Sequence, residues 1–283
     1  MRERNEIEMK KNNNLKKLKN IIWIIALILV ILIIAGLGLG YYKSVTMKVE
    51  NPVATMEIES FGTIKMELYP EIAPQTVSNF IALANRGFYD GLTFHRIVKD
   101  FMIQGGDKEG TGQGSATLND LKDDGEEKEY SIKGEFIANG VNNKLKFEEG
   151  IVGMARNDYI QYSSSLKEES YNSGSSQFFI MTKENTSLNG YYTSFGKVIE
   201  GMDIVHKIEE VEVKAADNNE GTTEEEESSA EKSTPVNPPK ITSIRVETNG
   251  VDYGLPETQT PFDYMSWMYS QYGIDPSTMT TSE

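Results

Sequence analysis

The chain has 283 residues, 38% hydrophobic and 25% charged, an ordinary globular composition with room for one or two domains. It contains no cysteine, which excludes a disulfide framework, a thiolate metal site, a cysteine nucleophile and a lipid-modified N-terminal cysteine. The net charge of −15 is uneven: residues 1–20 hold seven bases against three acids, so the remaining body is strongly acidic and repels phosphate backbones, arguing against nucleic acid as a partner.

After the basic segment 1–20, residues 21–40 (IIWIIALILVILIIAGLGLG) carry no charge over 20 positions. At about 1.5 Å per residue such a helix spans about 30 Å, the thickness of a hydrocarbon core. No polar stripe interrupts it, as one would in a buried soluble helix. The upstream bases, with Tyr41 and Tyr42 downstream, predict a single-pass anchor with a cytoplasmic N-terminus and an extracytoplasmic body. The alternative is a cleavable signal followed by secretion, for which Gly36, Gly38 and Gly40 supply small residues near a cut.

Residues 41–52 read as a spacer. A hairpin follows: Ala54, Met56 and Ile58 alternate with polar neighbours, Phe61-Gly62 turns the chain, and Ile64, Met66 and Leu68 alternate again. Pro74 opens a helix whose Val77, Phe80, Ile81 and Ala84 share one face, and Gly87 ends it. Short strands are predicted at Leu92–Ile97, Phe101–Gln104, Gly150–Ala155, Gln177–Met181, Thr193–Val198 and Ile241–Thr248. A second helix starts at Met202, with Ile204, Val205, Ile208 and Val211 on one side. Many short strands, two helices and no βαβ alternation predict an antiparallel barrel or sandwich.

Two polar stretches interrupt this pattern. Asp217–Glu231 holds seven acids and no base, which marks an acidic, disordered insert at about 213–238. Asp120–Glu129 is a smaller excursion of the same kind. In the tail, 255–283, Thr260-Pro261 predicts a helix start and Gly273 a stop. Between them Phe262, Met265, Met268, Tyr269 and Tyr272 recur at helical spacing beside Trp267. That stripe fits either a helix packed on its own domain or one that binds a partner.

The densest group of chemically capable residues is Tyr89–Asp107, YDGLTFHRIVKDFMIQGGD. By strand alternation Met102 shares a face with Gln104, and Gln177 with Phe179. Each strand thus offers one carboxamide and one apolar side chain on the same side, a surface suited to an extended peptide with a bulky apolar residue.

FHRIVKDFMIQGGD, then GIVGMAR, GSSQFFIM and LNGYYTSFGKVIEGMDIV, resemble the successive signature blocks of the cyclophilin family, in family order. YSIKGEF and ITSIRVETNGVDYG are similar to bacterial members, including membrane-anchored ones. The resemblance covers 53–254. It implies a mainly β fold, a closed eight-stranded antiparallel barrel capped by two helices, with an outer groove that isomerises X–Pro bonds in exported proteins. It further implies Arg96 as the catalytic arginine with Gln104 beside it. The substrate-binding positions it implies are Phe101, Met102, Ala155, Gln177, Phe179 and Leu188, with Tyr192 at the remaining aromatic position. Where many eukaryotic members have Trp and His, this chain has Ser187 and Tyr192, and Asp158–Asn172 is longer than in compact members. The missing Trp implies weakened binding of the inhibitor cyclosporin. An alternative reading is a proline-segment binding module or chaperone with little turnover; a third is a scaffold acting through its aromatic tail.

The remaining polar candidates read as structural. Strand alternation sets His95 opposite Arg96, and His206 falls on the second helix as a surface residue. Two histidines so far apart, without carboxylates at ligand spacing, predict no metal site. The glycines of GGDKEGTGQG lack the Lys-Ser/Thr of a phosphate loop and read as turns. Neither metal nor cofactor is expected.

Overall fold

The computed structural model describes residues 2–46, 50–123, 125–215 and 232–274; within the first helix, side chains are described at positions 9 and 15–39. The acidic stretch Asp217–Glu231 lies outside the described residues. The chain forms two units, 1–50 and 51–283. The first is one helix, α1 (Arg2–Thr46), whose window Leu15–Leu39 is long and apolar enough to cross a membrane. Its leucines and isoleucines are exposed on every side.

The second unit begins with the hairpin β1 (Val53–Ile58) and β2 (Gly62–Leu68), followed by α2 (Pro74–Asn85), β3 (Phe94–Val98) and β4 (Met102–Gly105). A short helix α3 (Leu118–Leu121) and β5 (Ser131–Ile132) precede β6 (Ile151–Met154). Then come α4 (Lys167–Tyr171), β7 (Phe178–Met181), β8 (Ser194–Glu200) and α5 (Met202–Glu209). The chain closes with β9 (Val213–Ala215), β10 (Lys232–Pro235), β11 (Ile241–Glu247), β12 (Thr258–Gln259) and α6 (Tyr264–Gln271).

Eight strands make one curled antiparallel sheet in the order β11-β1-β2-β8-β6-β7-β4-β3. The expected closed barrel is therefore corrected to an open one. Its end strands, β3 and β11, meet at one end through the isolated bridge Thr93–Lys240 and the bonds beside it, Ile241 N to Leu92 O at 2.8 Å and Phe94 N to Pro239 O at 3.0 Å, with no continuous ladder. The reason lies just upstream of that bridge: Pro239 accepts from Phe94 N but has no N–H to return, and Pro238 before it has none either, so the ladder stops there.

The sheet's inner face and the two expected helices bury the core. Val77, Phe80 and Ala84 of α2 and Val205 and Ile208 of α5 are inaccessible to solvent. Phe80 sits at the centre, with its ring centroid 5.2 Å from Tyr89, 5.5 Å from Phe178 and 5.4 Å from Phe195. Sequence periodicity does not reveal three further elements. The stretch around 120 contains α3, started by a reciprocal Thr117–Asp120 capping box. Asp158–Asn172 folds into two tight turns and α4. The strands β9 and β10 pair at the root of the acidic stretch.

The tail helix also differs from expectation. Its cap is Asp263, whose carboxylate accepts from Ser266 N at 2.8 Å, rather than Thr260. The short, strong acceptor of an aspartate placed three residues before an available N–H displaces the weaker threonine cap. Of the predicted apolar stripe, Met265 and Tyr272 are exposed while Phe262, Met268 and Tyr269 are half-buried; Phe262 makes ring contacts together with Tyr264 and Trp267, which lie outside the stripe.

The start of α2 illustrates how distant loops complete this fold. Its N-cap, Ala73, has no side-chain acceptor for the first-turn N–H groups. The buried carboxylate of Glu135 accepts from Gln75 N at 3.0 Å, Thr76 N at 2.8 Å and Thr76 Oγ1 at 2.7 Å. Glu135→Ala leaves those buried donors without a partner, and urea denaturation is expected to show a loss of about 2–3 kcal/mol.

Candidate functional site

β3 and β4 form a hairpin whose turn residue Asp100 has φ +57°, a left-handed conformation uncommon outside glycine. Its backbone N–H donates to Glu209 Oε1 of α5 at 2.6 Å, and Lys99 pairs with Glu210 at 2.7 Å. The hairpin is thereby fastened to the second capping helix. Along it, Arg96 stands opposite Gln104 in register, and β4 then pairs with β7 so that Gln104 stands opposite Phe179.

Alternation sorts these strands' side chains. Ile103, Phe178 and Ile180 join the inner core, while Met102, Phe179 and Met181 form a second apolar cluster with Phe147 and Ile151. Phe101, Ala155, Leu188 and Tyr192 pack around that second cluster. The Phe179 ring stacks on Phe147 at 5.5 Å and meets Tyr192 edge-on at 6.1 Å. Gly153 permits this packing, because a Cβ there would lie 2.3 Å from Phe179 Cζ.

Together these residues wall an open apolar well of about 240 Å³, with Arg96, Gln104 and Arg156 at its edge. Gln104 Nε2 donates to Gln177 Oε1 at 2.9 Å, and Gln177 Nε2 donates to the carbonyls of Gly112 at 3.1 Å and Gly114 at 2.9 Å. This chain of amides fixes the Gln104 side chain against the glycine-rich loop. Arg96 Nη1 lies 4.0 Å from Met102 Sδ. Beyond Gln104 and Ala155 the well continues into a shallow polar hollow bordered by Gln113, Ser115, Asn157 and Ser173.

Of the nine residues expected at the site, the structure brings Arg96, Phe101, Met102, Gln104, Ala155, Phe179, Leu188 and Tyr192 around the well; Gln177 lies just behind Gln104 and lines the hollow. Ser187 is exposed and donates to Asn185 Oδ1 at 2.6 Å, so it leaves the rim low where a larger residue would rise. Sequence reasoning missed the side chain of Arg156. Its guanidinium lies 4.3 Å from the centre of the Tyr192 ring and 5.3 Å from that of Tyr171, and donates to Ser170 Oγ at 2.9 Å. A cation over two rings holds Tyr192 in place. The one signal available was an arginine directly after the apolar run GIVGMA.

His95 departs from expectation, whereas His206 lies on α5 at the surface as expected. The β3–β4 register slips between Phe94 and Arg96, so alternation fails there and His95 is the extra residue. Phe94 and Ile97 both enter the inner core, while His95 is buried beside the loop at Gly112, where burial lowers its pKa. His206 is more than a surface residue: Nδ1 lies 3.1 Å from Glu209 and Nε2 2.8 Å from Glu149. Bonding to Glu209 and then Glu149 raises its pKa.

A well walled by apolar side chains and edged by a guanidinium and carboxamides thus opens on the outside of a curled antiparallel sheet. The chain belongs to the family of cyclophilin-type peptidyl-prolyl cis-trans isomerases, whose family model (Cyclophilin type peptidyl-prolyl cis-trans isomerase/CLD) matches residues 53–246. It is similar to peptidyl-prolyl cis-trans isomerase-like 1 of Rhizopus delemar, 40% identical over 159 residues, covering 56% of this chain and 81% of that protein. Peptidyl-prolyl cis-trans isomerase B of Bacillus subtilis is 40% identical over 146 residues, 52% of this chain and 82% of its own. A crystal structure of a cyclophilin-type isomerase from Cryptosporidium parvum matches with a TM-score of 0.52 and 26% identity, covering 70% of this chain and 99% of that one; it has also been solved in the presence of the dipeptide Ala-Pro.

The His206 bridge predicts a specific pH response. Its folded pKa is raised above the ordinary imidazole value of about 6.5, so its stabilisation is full below that value and is lost as pH rises through the folded value. His95 acts oppositely: its folded pKa is lowered, so protonation in acid costs stability. The difference in thermal midpoint between the wild type and His206→Gln is therefore expected to be largest on the acid side and to shrink as pH rises.

Proposed function

We propose that the well around Arg96 is the catalytic centre of this isomerase, and that it works on exported polypeptides at the outer face of a membrane. The observation that carries the catalytic reading is the facing pair Arg96–Gln104 on the rim of a well of about 240 Å³ walled by Phe101, Met102, Phe179 and Leu188. An X–Pro bond turns over an amide-resonance barrier of about 18–20 kcal/mol and takes tens of seconds unaided. No bond is made or broken. The task is to bind the twisted amide, whose nitrogen has become pyramidal and basic, better than either planar isomer.

The permanently charged Arg96 guanidinium donates to the developing lone pair on the prolyl nitrogen, which removes it from conjugation with the carbonyl. Gln104, with one amide hydrogen committed to Gln177, offers the other to the rotating carbonyl oxygen. Phe101, Met102, Phe179 and Leu188 hold the prolyl ring, and Tyr192, braced by Arg156, closes the remaining side. The backbone from Ala155 and the hollow behind Gln177 receive the residues next to the proline.

A charge-assisted hydrogen bond contributes about 1.5–3 kcal/mol, or roughly one to two powers of ten in rate. Fixing the peptide against the well accounts for the remainder of the barrier lowering. Arg96→Ala is expected to lower kcat/KM for a proline-containing peptide by about 10- to 100-fold, with the urea denaturation midpoint unchanged. Wild-type rates in that variant would overturn the assignment, and a wild type that binds such peptides without turnover would mark a binding module instead.

In the domain arrangement that goes with this reading, 1–20 are cytoplasmic, 21–40 span the membrane, 41–52 are a spacer, 53–254 are the isomerase and 255–283 a tail. The apolar window Leu15–Leu39 and the flanking bases support the anchor and its orientation. Membrane fractionation and protease protection of intact cells test it: an anchored full-length chain digested only from outside is expected. A shorter form released to the medium would show that the segment is a cleaved signal.

A further inference from the structure

Two segments meet beside the groove that the compact family outline does not need. One is 158–172, the longer loop that folds into two turns and α4. The other is the tail from Leu255, which lies past the end of the family match at residue 246. The tail is held from Glu257 to Tyr264. Glu257 N donates to Gln75 Oε1 at 2.6 Å, and β12 pairs with β5 through Thr258–Ile132 and Gln259–Ser131. Phe262 then meets the Tyr159 ring at 5.3 Å, while Tyr264 stacks on Tyr159 at 5.6 Å and meets the Tyr162 ring at a tilt at 4.7 Å.

Between this tail and the segments 113–131 and 157–173 lies a cleft of about 830 Å³, within the range of pockets that take whole ligands. Its walls include Tyr159, Phe262, Tyr264, Met265 and Leu118, with Lys128 among the polar residues at its border. The cleft is continuous with the groove. Gln113, Ser115, Asn157 and Ser173 line both the cleft and the polar hollow, and Gln104, Ala155 and Arg156 line both the hollow and the well. A polypeptide leaving the well across Ala155 therefore comes next to an aromatic-walled cleft that the tail alone completes.

We propose that the tail extends the substrate groove, and that this cleft takes an aromatic or large apolar side chain of the client polypeptide at a fixed distance from its X–Pro bond. This rests on the isomerase reading of the well. The continuity selects the occupant: the chain already seated in the well is the one brought to the cleft, and unfolded polypeptides carry the exposed aromatic residues that rings of this kind receive edge-on or stacked. Substrate choice is then set partly outside the prolyl well.

The test uses the full-length protein in phospholipid nanodiscs and a series of peptides with a common Ala-Pro core. Phenylalanine is moved through successive positions on either side of the core, with alanine at the same position as control. At one narrow set of positions the phenylalanine peptide is expected to show a kcat/KM roughly 2- to 10-fold above its control, the worth of one aromatic contact, carried by KM. That ratio is expected to fall to one in Tyr264→Ala and to fall in part in Met265→Ala, whose side chain is half-exposed and perturbs the fold least. A ratio of one at every position in the wild type, as a cleft filled by lipid or by a second copy would give, overturns the proposal. So does a ratio that survives both substitutions. Turnover of the short core peptide by the wild type reports the isomerase reading separately. If that turnover is absent, fluorescence anisotropy of the same labelled series still decides whether the cleft binds phenylalanine.

Discussion

Successive side chains on β4 and β7 must point to opposite faces of the sheet, and almost everything else in the second unit follows from how that constraint is met. The inward set, Ile103, Phe178 and Ile180, closes on Phe80 and its neighbours. The outward set, Met102, Phe179 and Met181, cannot be left in water, so Phe147, Ile151 and Leu188 cover it. The covering is incomplete, and the gap is the well. The strands that hold the fold together therefore also shape the groove, and a change in their packing reaches Gln104 within one hydrogen bond of Gln177.

Those facts were largely legible in the sequence. The β1–β2 hairpin alternates with period two, the faces of α2 and α5 repeat at helical spacing, and FMIQ and QFFIM carry their amide and apolar residues at matching offsets. Each of these signals is local: it is written within a few residues of the feature it specifies. The residues around the well came from ordered motifs whose spacing the three-dimensional arrangement respects.

What was not legible depends on contacts between distant segments. Nothing near Ala73 announces that Glu135 completes the start of α2 across 60 residues. Nothing near Arg156 announces that Tyr171 and Tyr192, from later segments, come to lie under it. The slip that places His95 in a bulge breaks a rule that the sequence alone leaves intact, and the two glutamates around His206 come from different elements. The tail helix was placed correctly in outline, but its cap and buried side were misread, because an eight-residue helix packs through its approach strand and first turn rather than through a long stripe.

The Pro238-Pro239 pair at the open seam has a consequence for a family that acts on proline-containing peptides. Every exposed sheet edge offers such peptides a template to hydrogen-bond along, and a client captured as an extra strand is neither isomerised nor released. At this seam two successive residues have no N–H to offer, and the adjoining edge at β3 lies against β10. The same interruption that keeps the barrel from closing thus also makes this edge a poor template for an added strand.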